Sequence, residues 1–259
     1  MAVAVSGLGN AMPARDSRFF EVSALLMALI LMAGFTLQVA SGRSSFDAPL
    51  WVHAHALLYF GWVAIYLAQT FLATRGPIAL HRKLGWAAAF WVAAMVVAGF
   101  AIIVLRIQAG KAPFFFQPQH FLIANPLVVL TFAGLTSWAV AMRRRTDWHR
   151  RLHLCAMTVL LAPGVGRLIP MPLLIPWSYQ IAAIIGLAFP VVGMVLDRRR
   201  TGRAHPAWLW GTGTIVAVMI VTELIVWSPL GDAIYAWVTH GTPGAEVAPL
   251  DFAPPPPMG

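Results

Sequence analysis

Eight histidines punctuate this chain, and none lies in the middle of a hydrophobic run. His53, His55, His120 and His240 fall near one set of run ends, while His81, His149, His153 and His205 fall near the opposite set. Imidazole nitrogens ligate haem iron and transition metals. Histidines paired across facing membrane helices could therefore hold such a group at each membrane face. Residues two apart on a helix point about 200° apart, so at most one of His53 and His55 faces a given site. His149 and His153, four apart, share a face. The axial candidates for two b-type haems are His55 with His120 on the outer side and His81 with His153 on the inner side. His53 and His149 stand as subsidiary metal candidates. Two stacked sites of this kind would carry electrons across a bilayer.

Arg167 and Glu223 are the clearest ionisable residues inside hydrophobic runs, both towards the outer side. Charge at that depth usually faces a partner or a cavity. The expectation is a salt bridge between the two, or contact of Arg167 with a haem propionate or another anionic ligand. Arg82, Lys83 and Arg150 could serve propionates on the inner side. Gln38, Gln69, Asn125 and Gln180 read as hydrogen-bonding contacts between helices. His205 and His240 read as solvated loop residues. If Asn125 caps a helix that starts at Pro126, His120 drops into the outer loop and the outer pair weakens.

The elements that must position these residues follow from composition. The 259 residues are 59% hydrophobic and 10% charged, against about 25% charged in soluble proteins. The net charge of +9 lies in short loops between apolar runs, the pattern of topology signals and not of a nucleic-acid face. The single Cys155 excludes an intrachain disulfide and a cysteine-rich metal cage. Glycine-rich phosphate loops, paired catalytic carboxylates and nucleophile triads are missing. The only lysines, Lys83 and Lys111, lie in loops, which argues against a retinal protein. Four histidines on the inner side are too few for a membrane di-iron oxygenase cluster.

The expected fold is an all-α integral membrane protein with seven transmembrane helices at 20–40, 50–74, 84–105, 120–142, 152–169, 178–196 and 207–227. Each is long enough to cross about 30 Å of hydrocarbon. The first is too long for the apolar core of a signal peptide and reads as an uncleaved span. Trp51, Trp86, Trp148, Trp177, Trp208, Trp210 and Trp227 near the ends read as headgroup-level anchors. Pro126, Pro163 and Pro190 interrupt spans four, five and six. Fourteen of the 18 lysines and arginines fall on one side; Arg43, Arg106, Lys111 and Arg167 are the other four. By the positive-inside rule the amino terminus (1–19) is cytoplasmic and the carboxyl terminus is outside. The core bundle is expected from spans two to five, within a membrane domain of 20–227. Ser228-Pro229 opens a short outer interfacial helix over 228–240, and 241–259 reads as a Pro-rich disordered tail.

The stretch 53–170 resembles a family of bacterial multi-span membrane proteins known only as a domain of unknown function. The resemblance rests on Ala-Gln-Thr-Phe-Leu, Leu-His-Arg-Lys-Leu-Gly at His81, Asp-Trp-His-Arg-Arg at His149 and Gly-Arg-Leu at Arg167. It implies a bacterial inner-membrane protein and supplies no activity. Leu-His-x-x-Leu-Gly at a helix start also resembles, more loosely, the ligand motif of di-haem transmembrane b-type cytochromes. Those proteins use four histidines on four consecutive helices, which His55, His81, His120 and His153 would match. The resemblance departs in depth, since Arg82 and Lys83 crowd His81 at the membrane edge. The functional expectation is haem b binding with transmembrane electron transfer, in contact with lipid and membrane redox or complex partners but not nucleic acid. The alternatives are non-redox binding or transport of a small molecule, and a structural or assembly subunit of a membrane complex.

Overall fold

The computed structural model describes residues 14–44 and 46–254. In chain order these form α1 (Ala14–Ala40), α2 (Leu50–Thr74), α3 (Ile78–Gln108), α4 (Pro118–Ala141), α5 (Thr146–Val159), α6 (Ala162–Leu168), α7 (Ser178–Gly186), α8 (Ala188–Thr201), α9 (Pro206–Val226) and α10 (Pro229–Thr239). Short 3-10 turns lie at Met171–Leu174, between α6 and α7, and at Pro243–Glu246, after α10, and no strand occurs among the described residues.

Most of the long helices are apolar on both faces. In α1, Phe20, Ala24, Met27 and Leu31 recur at helical spacing and are buried, while Leu25, Leu29 and Met32 on the other face are exposed. A helix apolar all round is stable only where its outward face meets something other than water. Six segments among the described residues are long and apolar enough to cross a bilayer: 17–40, 50–74, 78–108, 118–141, 178–201 and 206–226. The protein is accordingly a multi-pass membrane protein in contact with lipid.

The fifth expected span, 152–169, is not among those six. It is divided into α5 and α6 at Leu160–Leu161, just before Pro163, whose missing N–H cannot continue the ladder. α5 carries His149, Arg150, Arg151 and His153, which lowers its hydropathy. Yet α5 is buried almost continuously from Arg151 to Val159, packed against α4, α9, α8 and α1. It is polar because it faces protein and not lipid. α6 packs on α1, where Gly34 and Gly164 bring the two backbones together. Span six is likewise two helices, α7 and α8, meeting at Leu187.

Pro126 lies inside α4, and Asn125 donates its side-chain amide to the Phe121 carbonyl instead of capping a new helix. His120 is therefore helical. The expected short helix after span seven forms as α10; the Ser228 hydroxyl donates back to Ile225 rather than capping it. Beyond it, the chain to residue 254 is docked. Gln119 N–H donates to the Pro249 carbonyl at 2.8 Å, Gln117 to Leu250 at 2.6 Å and the Tyr235 hydroxyl to Gly244 at 3.0 Å. The end of the polyproline stretch, 255–259, and the amino-terminal 1–13 lie outside the described residues. Trp208, expected at the headgroups, is only 1% exposed.

Candidate functional site

The short connection after α2 starts α3 behind Pro77 and puts His81 in its first turn. His81 Nδ1 lies 3.2 Å from the Gln69 carbonyl of α2. The turn between α4 and α5 does the same for His149, whose Nδ1 lies 2.7 Å from the Ala139 carbonyl. A carbonyl only accepts, so both Nδ1 atoms carry protons. The neutral tautomer then leaves both Nε2 atoms with free lone pairs. The rings of His81 and His149 stand 6.2 Å apart at 81°, and those of His149 and His153 stand 4.6 Å apart at 86°. Three imidazoles from two helices thus form a row at the arginine-rich end. The expected inner partner of His81 was His153; the ring that meets it is His149, one turn earlier. On the flanking helices, Trp62 Nε1, Gln69 Oε1 and Thr136 Oγ1 are buried without hydrogen-bond partners.

At the opposite end the expected arrangement does not form. His120 Nε2 is 3.0 Å from Glu223 Oε1, and Glu223 also accepts from Gln180 Nε2 at 2.7 Å and Trp227 Nε1 at 3.1 Å. The His120 ring meets Tyr179 edge-on at 4.7 Å. Beside it, Gln119 donates to the Val226 carbonyl and to Asp232. His55 has separate surroundings: its ring stacks on Tyr59 at 4.2 Å, and its Nδ1 is buried without a hydrogen bond. His55 and His120 are therefore not brought together as an axial pair. Nor do Arg167 and Glu223 pair. Arg167 donates to the Pro163 carbonyl at 2.7 Å and lies 3.9 Å over the Phe35 ring.

The remaining histidines are structural or peripheral. His53 Nε2 is 3.1 Å from the Phe46 carbonyl, and His240 is exposed at the end of α10. His205 is not a free loop residue. Its Nδ1 accepts from Ala207 N–H as the cap of α9, and its Nε2 is 2.7 Å from Asp147 Oδ2. Burial pushes the Asp147 carboxyl up, but the His205 hydrogen bond and charge and the Trp148 N–H together hold it below its ordinary value.

Sequence reasoning missed Asp197 and the partners it joins. Arg151 meets it through two hydrogen bonds of 2.9 Å, and Trp208 Nε1 adds a third at 2.8 Å. By sequence alone Arg151 reads only as a topology charge. The available signal was an acidic residue, Asp197, at the inner end of span six beside three arginines. Of the glutamines expected to join helices, Gln180 does so through Glu223.

No group of three or more His, Cys, Asp or Glu among the described residues is arranged to hold a metal ion. A pair is a separate matter: imidazoles sharing one metal through bonds of roughly 2 Å place their ring centres about 6 Å apart, the separation seen for His81 and His149. A cavity of about 30 Å³ lies among α4, α5, α7 and α9, lined by Thr131, Thr158, Tyr179 and apolar neighbours. The histidine row is not part of its lining. No protein family, curated protein or solved structure matches the chain.

Proposed function

We propose that the protein crosses a bacterial inner membrane seven times, with α5 and α6 as the buried fifth crossing. Its arginine-rich end is cytoplasmic, and it binds a metal-centred cofactor there, b-type haem first. The observation that carries this reading is the His81–His149 pair, 6.2 Å between ring centres, with each Nδ1 turned to a backbone carbonyl. Ligating histidines characteristically donate their second nitrogen in this way, which fixes the tautomer and the ring plane. The unpartnered Trp62, Gln69 and Thr136 atoms nearby fit a site whose occupant supplies their partners.

In this reading His81 and His149 offer the ligating nitrogens. The Gln69 and Ala139 carbonyls orient them, His153 packs against the second ring, and Arg82 and Lys83 lie at the edge for propionates. Haem would supply reversible one-electron chemistry. The outer half of a two-haem scheme does not fit, because His120 is committed to Glu223. Electron exchange at the cytoplasmic face with a membrane or soluble redox partner is the function that remains.

The test is the reduced-minus-oxidised absorption spectrum of protein expressed with adequate haem. The reading expects a Soret and α-band difference that His81→Ala and His149→Ala each abolish. Absence of the signal, or its survival in both variants, overturns it.

A further inference from the structure

The cavity among α4, α5, α7 and α9 is separate from the histidine row, and its walls have a chemistry of their own. It lies where two membrane crossings are broken. Thr158, Val159 and Ala162 of its lining flank the α5–α6 break, and Ala183 stands one turn before Leu187, where α7 gives way to α8. Non-helical backbone at membrane depth is tolerated where it is buried in protein or lines a cavity. Discontinuous helices of this kind commonly build binding sites. The volume, about 30 Å³, is roughly twice what one water needs.

A hydrogen-bonded bridge roofs the cavity on the side away from the arginine-rich end. Gln180, one turn from Ala183, reaches Glu223, one turn from Met219, at 2.7 Å. Tyr179 of the lining meets the His120 ring at 4.7 Å, and His120 lies 3.0 Å from the same Glu223 oxygen. A carboxylate only accepts, so the Gln180 amide is fixed with its nitrogen towards Glu223. Its oxygen, Oε1, is then buried without a donor. Inside, Thr131 gives its hydroxyl proton to the Leu127 carbonyl at 2.7 Å, and Thr158 gives its own to Leu154 at 3.0 Å. Each threonine has only lone pairs left to offer. Cavity and roof are therefore rich in acceptors.

α7 packs on α5 and α6, and α9 packs on α4 and α5. Across the gap between α7 and α9, the Gln180–Glu223 bridge is the described polar link. Ile184 and Ile220, each next to a lining residue, are more than half exposed, so the gap beneath the bridge faces hydrocarbon. An occupant that enters there needs an apolar body. It carries no charge, because Glu223 already accepts from His120, Gln180 and Trp227 and no charged side chain lines the space. It donates a hydrogen bond, because the polar atoms left for it accept.

We propose that this cavity binds the hydroxyl end of a neutral, apolar alcohol that enters from the bilayer between α7 and α9. The hydroxyl donates to Gln180 Oε1, and the carbon chain occupies the gap. The site is independent of the haem reading.

The test is photolabelling of the purified full-length protein, in neutral detergent, with a diazirine-bearing octanol and mapping of the adducts by mass spectrometry. Adducts are expected between Tyr179 and Ala183 of α7 and between Ile215 and Met219 of α9. Excess 1-octanol should cut them by at least half. Methyl heptyl ether, of similar length but without a donor, should leave them unchanged. Gln180→Met should lower them by at least half, and so should Ala183→Leu, whose added carbons fill the space. Adducts scattered over the lipid-facing helices without protection overturn the proposal. Equal protection by the ether overturns it, as do adducts undiminished in Ala183→Leu. If Gln180→Met fails to fold, the comparison of alcohol with ether tests the donor requirement in the native protein. Haem absorbance is not part of any of these outcomes.

Discussion

Arg151 and Asp197 face each other in two parallel hydrogen bonds of 2.9 Å, and both residues are buried. The pair ties α5 to α8, and Trp208 ties Asp197 to α9 at 2.8 Å. Trp208 also stacks on Phe20 of α1, with ring centres 6.1 Å apart and planes within 5°. Four helices therefore meet at one ion pair near the arginine-rich end, and α5, which carries His149 and His153, is positioned by it.

Removing one partner of a buried ion pair leaves the other charge uncompensated and costs about 3–5 kcal/mol. Asp197→Ala is expected to lower Tm in detergent accordingly and to change Trp208 emission, since the indole loses its acceptor. An unchanged Tm in that variant would show that the pair does not fasten α5.

How far this was legible in the sequence differs by element. The runs that became α1 to α4 and α9 announce themselves, because a helix facing hydrocarbon must be apolar around its whole circumference. α5 does not, since its surroundings are protein and its polar residues are satisfied by distant ones. Asp197 is 46 positions from Arg151, and Glu223 is 103 from His120. No local pattern connects such pairs, and depth alone points Glu223 to Arg167. Trp208 and Trp210 look equivalent as boundary tryptophans, but one is 1% exposed and the other 61%. Which side of α9 faces inward decides that, and a helix apolar on every side carries no periodic signal to show it.

The crossing of α1 and α6 predicts a contrast between two glycines. A Cβ on Gly34 would stand 2.5 Å from the Gly164 carbonyl oxygen, a backbone atom that cannot swing aside, whereas Gly134 has open space. Gly34→Ala should destabilise by roughly 1–3 kcal/mol through overpacking. Gly134→Ala should be neutral or stabilising by up to about 1 kcal/mol through helix propensity. Thermal melts of the two variants compare them directly, and equal effects would contradict the close approach of α1 and α6.

The Asp147–His205 contact, 2.7 Å, gives a pH dependence with a defined sign. A carboxyl held below its ordinary value stabilises the fold above its unfolded pKa, near 4, and that contribution is lost as pH falls through the lower folded value. The Tm gap between the native protein and Asp147→Asn is therefore expected to be fully open above about pH 5 and to close on acidification below about pH 4. A gap that widens with acid would mean that Asp147 is not held down by His205.

The two ends of the molecule make opposite predictions for histidine substitution. His120 serves Glu223 and the packing of α4 against α9, so His120→Ala should cost about 1–3 kcal/mol by removing one of the three hydrogen bonds of a partly buried carboxylate and the packing of the ring. Any haem absorbance should be left unchanged. His81→Ala and His149→Ala should remove the absorbance, because each takes away one of the two free Nε2 lone pairs. His153→Ala is the discriminating variant. If His149 is the second ligand, as its ring separation from His81 and its bond to the Ala139 carbonyl argue, the His153 variant keeps a haem band, altered only in shape or potential. If the band disappears with His153 and persists without His149, the ligand pair is His81 with His153 and the His149 contact is packing. Spectra of the four variants at matched protein concentration, with melts to confirm folding, distinguish these arrangements.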